Sequence, residues 1–313
     1  MSAALQSFRT NLEILGARTS GIRDGDAEAI HDARVAARRL RAVLPIVHPK
    51  GRDHGEALAG MFKSLGAVLG KARDIDVSLE LIAELERRVP GTAPAVATLR
   101  AQLLPVQTKR RRKLVKAFEG LDIESLERLA ASDRASRIQA HILFDRVGEL
   151  LRGHVDDLQH RIEHASGVYF PRRAHRVRVA VKKVRYAAEL LEDDGDGVRR
   201  RALRACKRVQ EALGHAHDRD VLMRRLKKAN RAAPVPASEE LLRVLEAECR
   251  DYFDAYRASR DEVITASHDV VHAAEVSRHR SHRSMPYRVL EVGAVAVPSA
   301  TVILLARHLR RAS

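Results

Sequence analysis

The chain has 313 residues, 45% of them hydrophobic, enough for a folded core and too many for a disordered basic tail. Lys and Arg outnumber Asp and Glu by 57 to 41, a net charge of +16 that opposes compaction unless an anionic partner offsets it. The two cysteines, Cys206 and Cys249, lack metal-ligand spacing and read as reduced core residues of a cytosolic protein.

The opening "MSAALQSFRT" has no charged segment followed by an apolar run, so no secretory signal is expected. Residues 30–44, "IHDARVAARRLRAVL", read as a helix. On it His31, Arg34, Arg38 and Arg41 fall within an arc of about 80°, and Arg39 lies at its border. Ala33, Ala36, Leu40, Val43, Leu44 and Val47 cover the opposite, core-facing side. Turn residues in "HPKGRDHG" end this helix, and the next carries Lys63 and the block "LGKARDIDV" from Leu69. "VPGTAP" breaks the chain again. Later, Pro171 stands where a helix can begin without its N–H. The helix after it, "HRVRVAVKKVRYAAEL" from His175, aligns His175, Arg178, Lys182 and Arg185 on one face, with Lys183 at the border. Val177, Ala180, Val184, Ala187, Ala188 and Leu191 form its apolar face. "EDDGDG" follows, then "LGHAHDRDV" from Leu213, then the break "APVPAS". Near the end, residues 292–306 are apolar but fall short of the ~20 residues that span a bilayer. Gly293 and Pro298 interrupt them, so a tail that packs or contacts a partner through 289–306 is expected.

The two basic helices and the two "LG…D.DV" blocks recur at one offset of 144 residues. His31 matches His175, Arg34 matches Arg178, Arg38 and Arg39 match Lys182 and Lys183, and Arg41 matches Arg185. Lys63 matches Lys207, Gly70 matches Gly214, Asp74 matches Asp218, and Asp76 matches Asp220. Two blocks at one offset mark a duplication. Apolar spacing is helical throughout. The expected fold is all-α: two tandem bundles of about four helices each, residues 1–135 and 136–278, related by an approximate two-fold. Residues 279–313 follow as a basic, then apolar, tail.

A basic stripe is ordinarily a solvated face. Here acids are nearly absent from the i+3 and i+4 positions, where an exposed helix places them, and both copies keep the stripe and begin it with histidine. Concentrated like charge destabilises a fold, and an anion site is the simplest offset; the histidine adds an N–H donor for an oxyanion. His215 and His217 diverge by roughly 160° on a helix, and Lys71 and Arg73 replace them in the first half, so no metal site is expected. Of each aspartate pair, one is expected to cap a helix after the glycine and the other to orient a guanidinium. No Gly-rich phosphate loop or nucleophile–base arrangement is present, so neither enzymatic activity nor a cofactor is expected.

The doubled motif pair resembles the CHAD family, the conserved histidine α-helical domain, over about residues 5–278. The resemblance implies two helical bundles about a pseudo-two-fold with basic faces lining a central groove. It also implies binding of inorganic polyphosphate and a cytoplasmic location on polyphosphate granules. Some members are linked instead to polyhydroxyalkanoate granules, a role that would use 289–306. The family's motif histidines map onto His31 and His175, and its basic ligands onto Arg34, Arg38, Arg39, Arg41, Arg178, Lys182, Lys183 and Arg185. Lys63, Arg73, Lys207 and His217 complete the candidate set. No triphosphate-tunnel (CYTH) domain is expected in this length. Nucleic acid is the competing polyanion; single-strand binders add aromatic platforms worth ~1–3 kcal/mol per base. This chain has no Trp, five Tyr and six Phe.

Overall fold

The computed structural model describes residues 2–48, 55–122, 125–126, 140–165, 167, 169–191 and 197–283. The expected boundary between the halves, at 135–136, and the apolar segment 289–306 lie outside these residues. All regular structure among the described residues is helical. In chain order the helices are α1 (Ala3–Ala17), α2 (Thr19–Asp24), α3 (Ala27–Val47), α4 (Gly55–Arg88) and α5 (Ala93–Glu119), then α6 (Ala140–Glu163), α7 (Pro171–Ala188), α8 (Val198–Ala232) and α9 (Ser238–Arg283). A short 3-10 turn, Pro90–Thr92, joins α4 to α5. None of these helices is long and apolar enough to cross a membrane.

Helix boundaries repeat at the offset read from the sequence: α3 begins at Ala27 and α7 at Pro171, while α4 ends at Arg88 and α8 at Ala232. Local chemistry explains where the basic helices start. Asp26 accepts from the backbone N–H groups of Glu28 and Ala29 at 3.0 and 3.2 Å, capping α3. Gly25 (φ 77°) turns the chain out of α2 in the left-handed region open to glycine. The duplicate helix instead begins on Pro171, whose missing N–H would have no partner there.

Both basic helices bury the same register. Ala33, Ala36, Ala37, Leu40, Val43 and Leu44 of α3 are buried, as are Val177, Ala180, Val181, Val184, Ala187 and Ala188 of α7. Apolar packing divides along the long helices and not between the chain halves. One cluster joins α1, α3 and the first part of α4 to α6, α7 and the first part of α8. The other joins the later parts of α4 and α8 to the first part of α5 and the start of α9, while the end of α5 and the rest of α9 pack in the first cluster. Helices α3 and α7 touch, as do α4 and α8.

Polar ties cross between the halves as well. Arg219 of α8, 4% exposed, donates to Glu248 of α9 at 2.8 Å, approaches Glu84 of α4 at 3.8 Å and lies over the Tyr252 ring. Arg88 of α4 pairs with the same Glu248. At the far end of α3, Arg146 of α6 donates to the Ile46 carbonyl at 2.8 Å, satisfying a helix-end acceptor. The duplicated basic helices are thus held side by side by a shared core and by ion pairs.

Candidate anion site between α3 and α7

The polar faces of α3 and α7 bring Arg34, Arg38, Arg178 and Lys182 into electrostatic range of one another. Arg38 lowers the proton affinity of Arg34, Arg178 and Lys182, and Arg34 and Arg178 both act on Lys182. Burial is the largest cause in each case. It takes the Arg34 guanidinium down to about 10, lowers Arg178, and pushes the half-buried Lys182 ammonium down to about 6. A cation so depressed has lost water without gaining a compensating anion. Among the described residues Lys182 has no hydrogen bond or ion pair.

Two carboxylates face this cluster. Asp74 of α4 accepts from Arg34 Nη2 at 3.0 Å and remains largely exposed. Its duplicate, Asp218 of α8, lies near Arg178 and Lys182 but closes no ion pair, and burial raises its carboxyl. Two acids, one of them raised by burial, do not balance four basic groups. The guanidinium groups also keep donors in reserve: Arg34 Nε and Arg178 Nε are buried and unpartnered. Each lies against a helical glycine, 3.9 Å from a Cβ built on Gly70 and 3.7 Å from one built on Gly214. The two glycines of the repeated block therefore sit beneath the two equivalent arginines.

On the α8 side, the His175 and His217 rings lie 5.1 Å apart. Burial, then Arg178, lowers both imidazoles, taking His217 to about 4. His215 turns away and stacks on Tyr252 at 4.8 Å. The two histidines of the HAH run thus serve different neighbours.

The remaining sequence candidates lie outside this centre or are already paired. Arg39 and Arg185 both bind Glu189, at 3.1 and 2.9 Å, and Arg185 also donates to Gln210. Lys183 points to α6, 3.8 Å from Asp157. Arg73 is held in a two-bond contact with Glu80, and Lys207 lies 3.6 Å from Glu211. His31 and Lys63 are exposed. Arg41 sits near Arg38 and over Gly66, and burial lowers its guanidinium. The structure therefore draws Arg34, Arg38, Arg178, Lys182, His175 and His217 together and sets Arg39, Lys183, Arg185, Arg73, Lys207, Lys63 and His31 around or away from them.

Asp76 and Asp220 differ from expectation. Helix α4 runs unbroken through Gly70 and α8 through Gly214, so neither aspartate caps a helix. Asp76, 4% exposed, accepts from Gln107 Nε2 at 2.7 Å and Arg111 Nη2 at 3.4 Å, fastening α5 to α4. Asp220 binds Arg224 one turn on.

Fold and site together define an all-helical chain with an internal repeat and a cationic cluster between its two equivalent basic helices. The sequence matches the CHAD domain model over residues 6–227, and the chain belongs to the CHAD family. The crystal structure of the CHAD domain from the plant Ricinus communis resembles it with 25% identity and a TM-score of 0.57, covering 87% of this chain and 92% of that one. PptA from Streptomyces chartreusis shares the fold at 17% identity and a TM-score of 0.56, covering 84% and 97%. No curated protein matches the sequence significantly.

Proposed function

We propose that the α3–α7 cluster binds inorganic polyphosphate, and that the protein acts as a non-enzymatic binder carried to polyphosphate granules. The observation that carries this reading is a set of basic groups short of counter-charge: burial lowers Arg34, Arg178 and Lys182, Arg38 lies in range of all three, and among the described residues Arg34 alone of the four closes an ion pair, with Asp74. A charge-assisted hydrogen bond contributes about 1.5–3 kcal/mol before screening, so several along one polymer give tight binding where a single phosphate gives little. The cluster offers charge and donors, with Tyr186, half-buried and in range of Arg34 and Arg178, as the aromatic ring beside it; one such ring falls short of the platforms that stack successive bases. That combination suits a chain of bare phosphates over a nucleic acid.

The test is binding of polyphosphate and of orthophosphate to the wild-type chain and to a variant with Arg34, Arg38, Arg178 and Lys182 all changed to Glu. Wild type should bind the polymer, ignore orthophosphate and weaken steeply with salt through counterion release. The variant should lose binding while keeping its helical circular dichroism. A folded variant that binds as tightly as wild type refutes the assignment.

A further inference from the structure

We propose, on the polyphosphate reading, that Arg224 and Arg225 of α8 and Arg110 of α5 form an outer phosphate subsite that extends the α3–α7 cluster at one end. Affinity then grows with chain length beyond what the central cluster can span.

These residues form one electrostatic path with the centre. Arg224 acts on both His175 and His217, and Arg225 lies in range of Arg224, Asp74 and Arg110. Along α8, Arg224 and Arg225 follow His217 and Asp218 by seven residues. Two turns of helix return them to the same face about 10 Å further on. Helices α5 and α8 touch, and Arg110 of α5 lies in range of Arg225.

The groups at this end are short of counter-charge. Arg225 is half-buried and its Nε is buried without a partner, the same unsatisfied donor that marks Arg34 and Arg178. Among the described residues Arg110 has no hydrogen bond or ion pair. It belongs to the run Lys109–Lys113, of whose five cations Arg111 pairs with Asp76. Arg224 holds Asp220, and Asp74 lies at the inner edge of the group. A phosphate chain leaving the centre past His217 meets cations next.

The duplication shows that this end is not a by-product of the repeat. The first-half equivalents of Arg224 and Arg225 are Glu80 and Leu81, and Glu80 is bound to Arg73. The second-half equivalents of Lys109–Lys113 are Phe253, Asp254, Ala255, Tyr256 and Arg257. Of these, Phe253 and Tyr256 are core residues and Arg257 pairs with Asp254. The extension is therefore one-sided, and it gives the site a direction.

The test compares tripolyphosphate with long-chain polyphosphate on wild type, on Arg110→Glu/Arg225→Glu, and on Arg110→Glu alone, which leaves Arg225 and its buried Nε in place. A variant with the same charge change elsewhere, Arg152→Glu/Arg257→Glu, controls for net charge. Wild type should prefer the long chain. The double variant should lose about tenfold of that preference, as expected for two screened phosphate contacts, with a shallower salt slope. Arg110→Glu alone should lose part of it, and the control should keep it. Folded Arg110 variants that retain the full preference, or a control that loses as much, overturn the subsite. A wild-type chain that binds neither length overturns the polyphosphate reading itself and the subsite with it.

Discussion

Replacing Lys182 by Arg should uncouple anion binding from pH. In the free protein the ammonium is held down to about 6, by burial first and then by Arg178, Arg38 and Arg34. The other groups acting with it are His175 on α7 and His217 and Asp218 on α8; Arg224 on α8 acts on both histidines and Asp74 on α4 acts on His175. From α6, His154 and Asp157 meet Lys183 on the other side of α7. At pH 8 the free amine is therefore almost wholly neutral. A bound polyphosphate reverses the local field and draws it back toward ordinary lysine behaviour, so binding takes up nearly one proton. Linkage then makes affinity fall about tenfold per pH unit above 6, or about fiftyfold between pH 6 and pH 8. Arginine at 182, the residue type already present at the equivalent Arg38, keeps its charge across this window. Calorimetric titration at pH 8 in two buffers of different ionisation enthalpy counts the protons directly. Wild type should take up about one and Lys182→Arg close to none. No uptake by wild type, or equal uptake by the variant, would refute the reasoning.

The same displacement governs the free protein. Between about 6 and the ordinary lysine value, unfolded Lys182 holds a proton that the folded residue lacks, so stability rises with pH across that window. The melting temperature without anion should climb from pH 6.5 to 9, and Lys182→Met should flatten the climb. Asp74→Asn removes the carboxylate that occupies Arg34 Nη2; polyphosphate affinity should rise a few-fold, since an exposed pair contributes ~0–1 kcal/mol, and an unchanged or weaker affinity counts against Asp74 as an internal competitor. Asp76→Ala strips Gln107 and Arg111 of a buried acceptor, and denaturant unfolding should show a loss of about 1–3 kcal/mol. Leu40→Ala, at a fully buried position of α3, should cost about 2–5 kcal/mol by the same measurement.

Much of the fold is legible because duplication writes it twice. The matched blocks around His31 and His175 fixed the register of the basic helices, and their apolar faces bury as the periodicity of Leu40 and Val184 required. The glycines misled. Gly70 and Gly214 suggested helix breaks, yet both sit inside long helices beneath Arg34 and Arg178, so Asp76 and Asp220 became interior residues and not caps. At the site, periodicity chose the face but not the neighbour. Arg39, Lys183 and Arg185 lie at or near the stripe, but their helix positions point them at Glu189 and Asp157. Arg110, Arg224 and Arg225 carry no signal in the duplication because they break the repeat. Their proximity to the centre comes from the packing of α5 and α8 against each other, which no spacing within one helix encodes.

The central claim is most directly tested by a competition titration of polyphosphate against single-stranded DNA, matched in charge and salt, on the wild-type chain. A cluster of charge and donors with one half-buried tyrosine beside it predicts that polyphosphate displaces the DNA and that DNA fails to displace polyphosphate. Equal competition, or displacement of polyphosphate by DNA, would contradict the account.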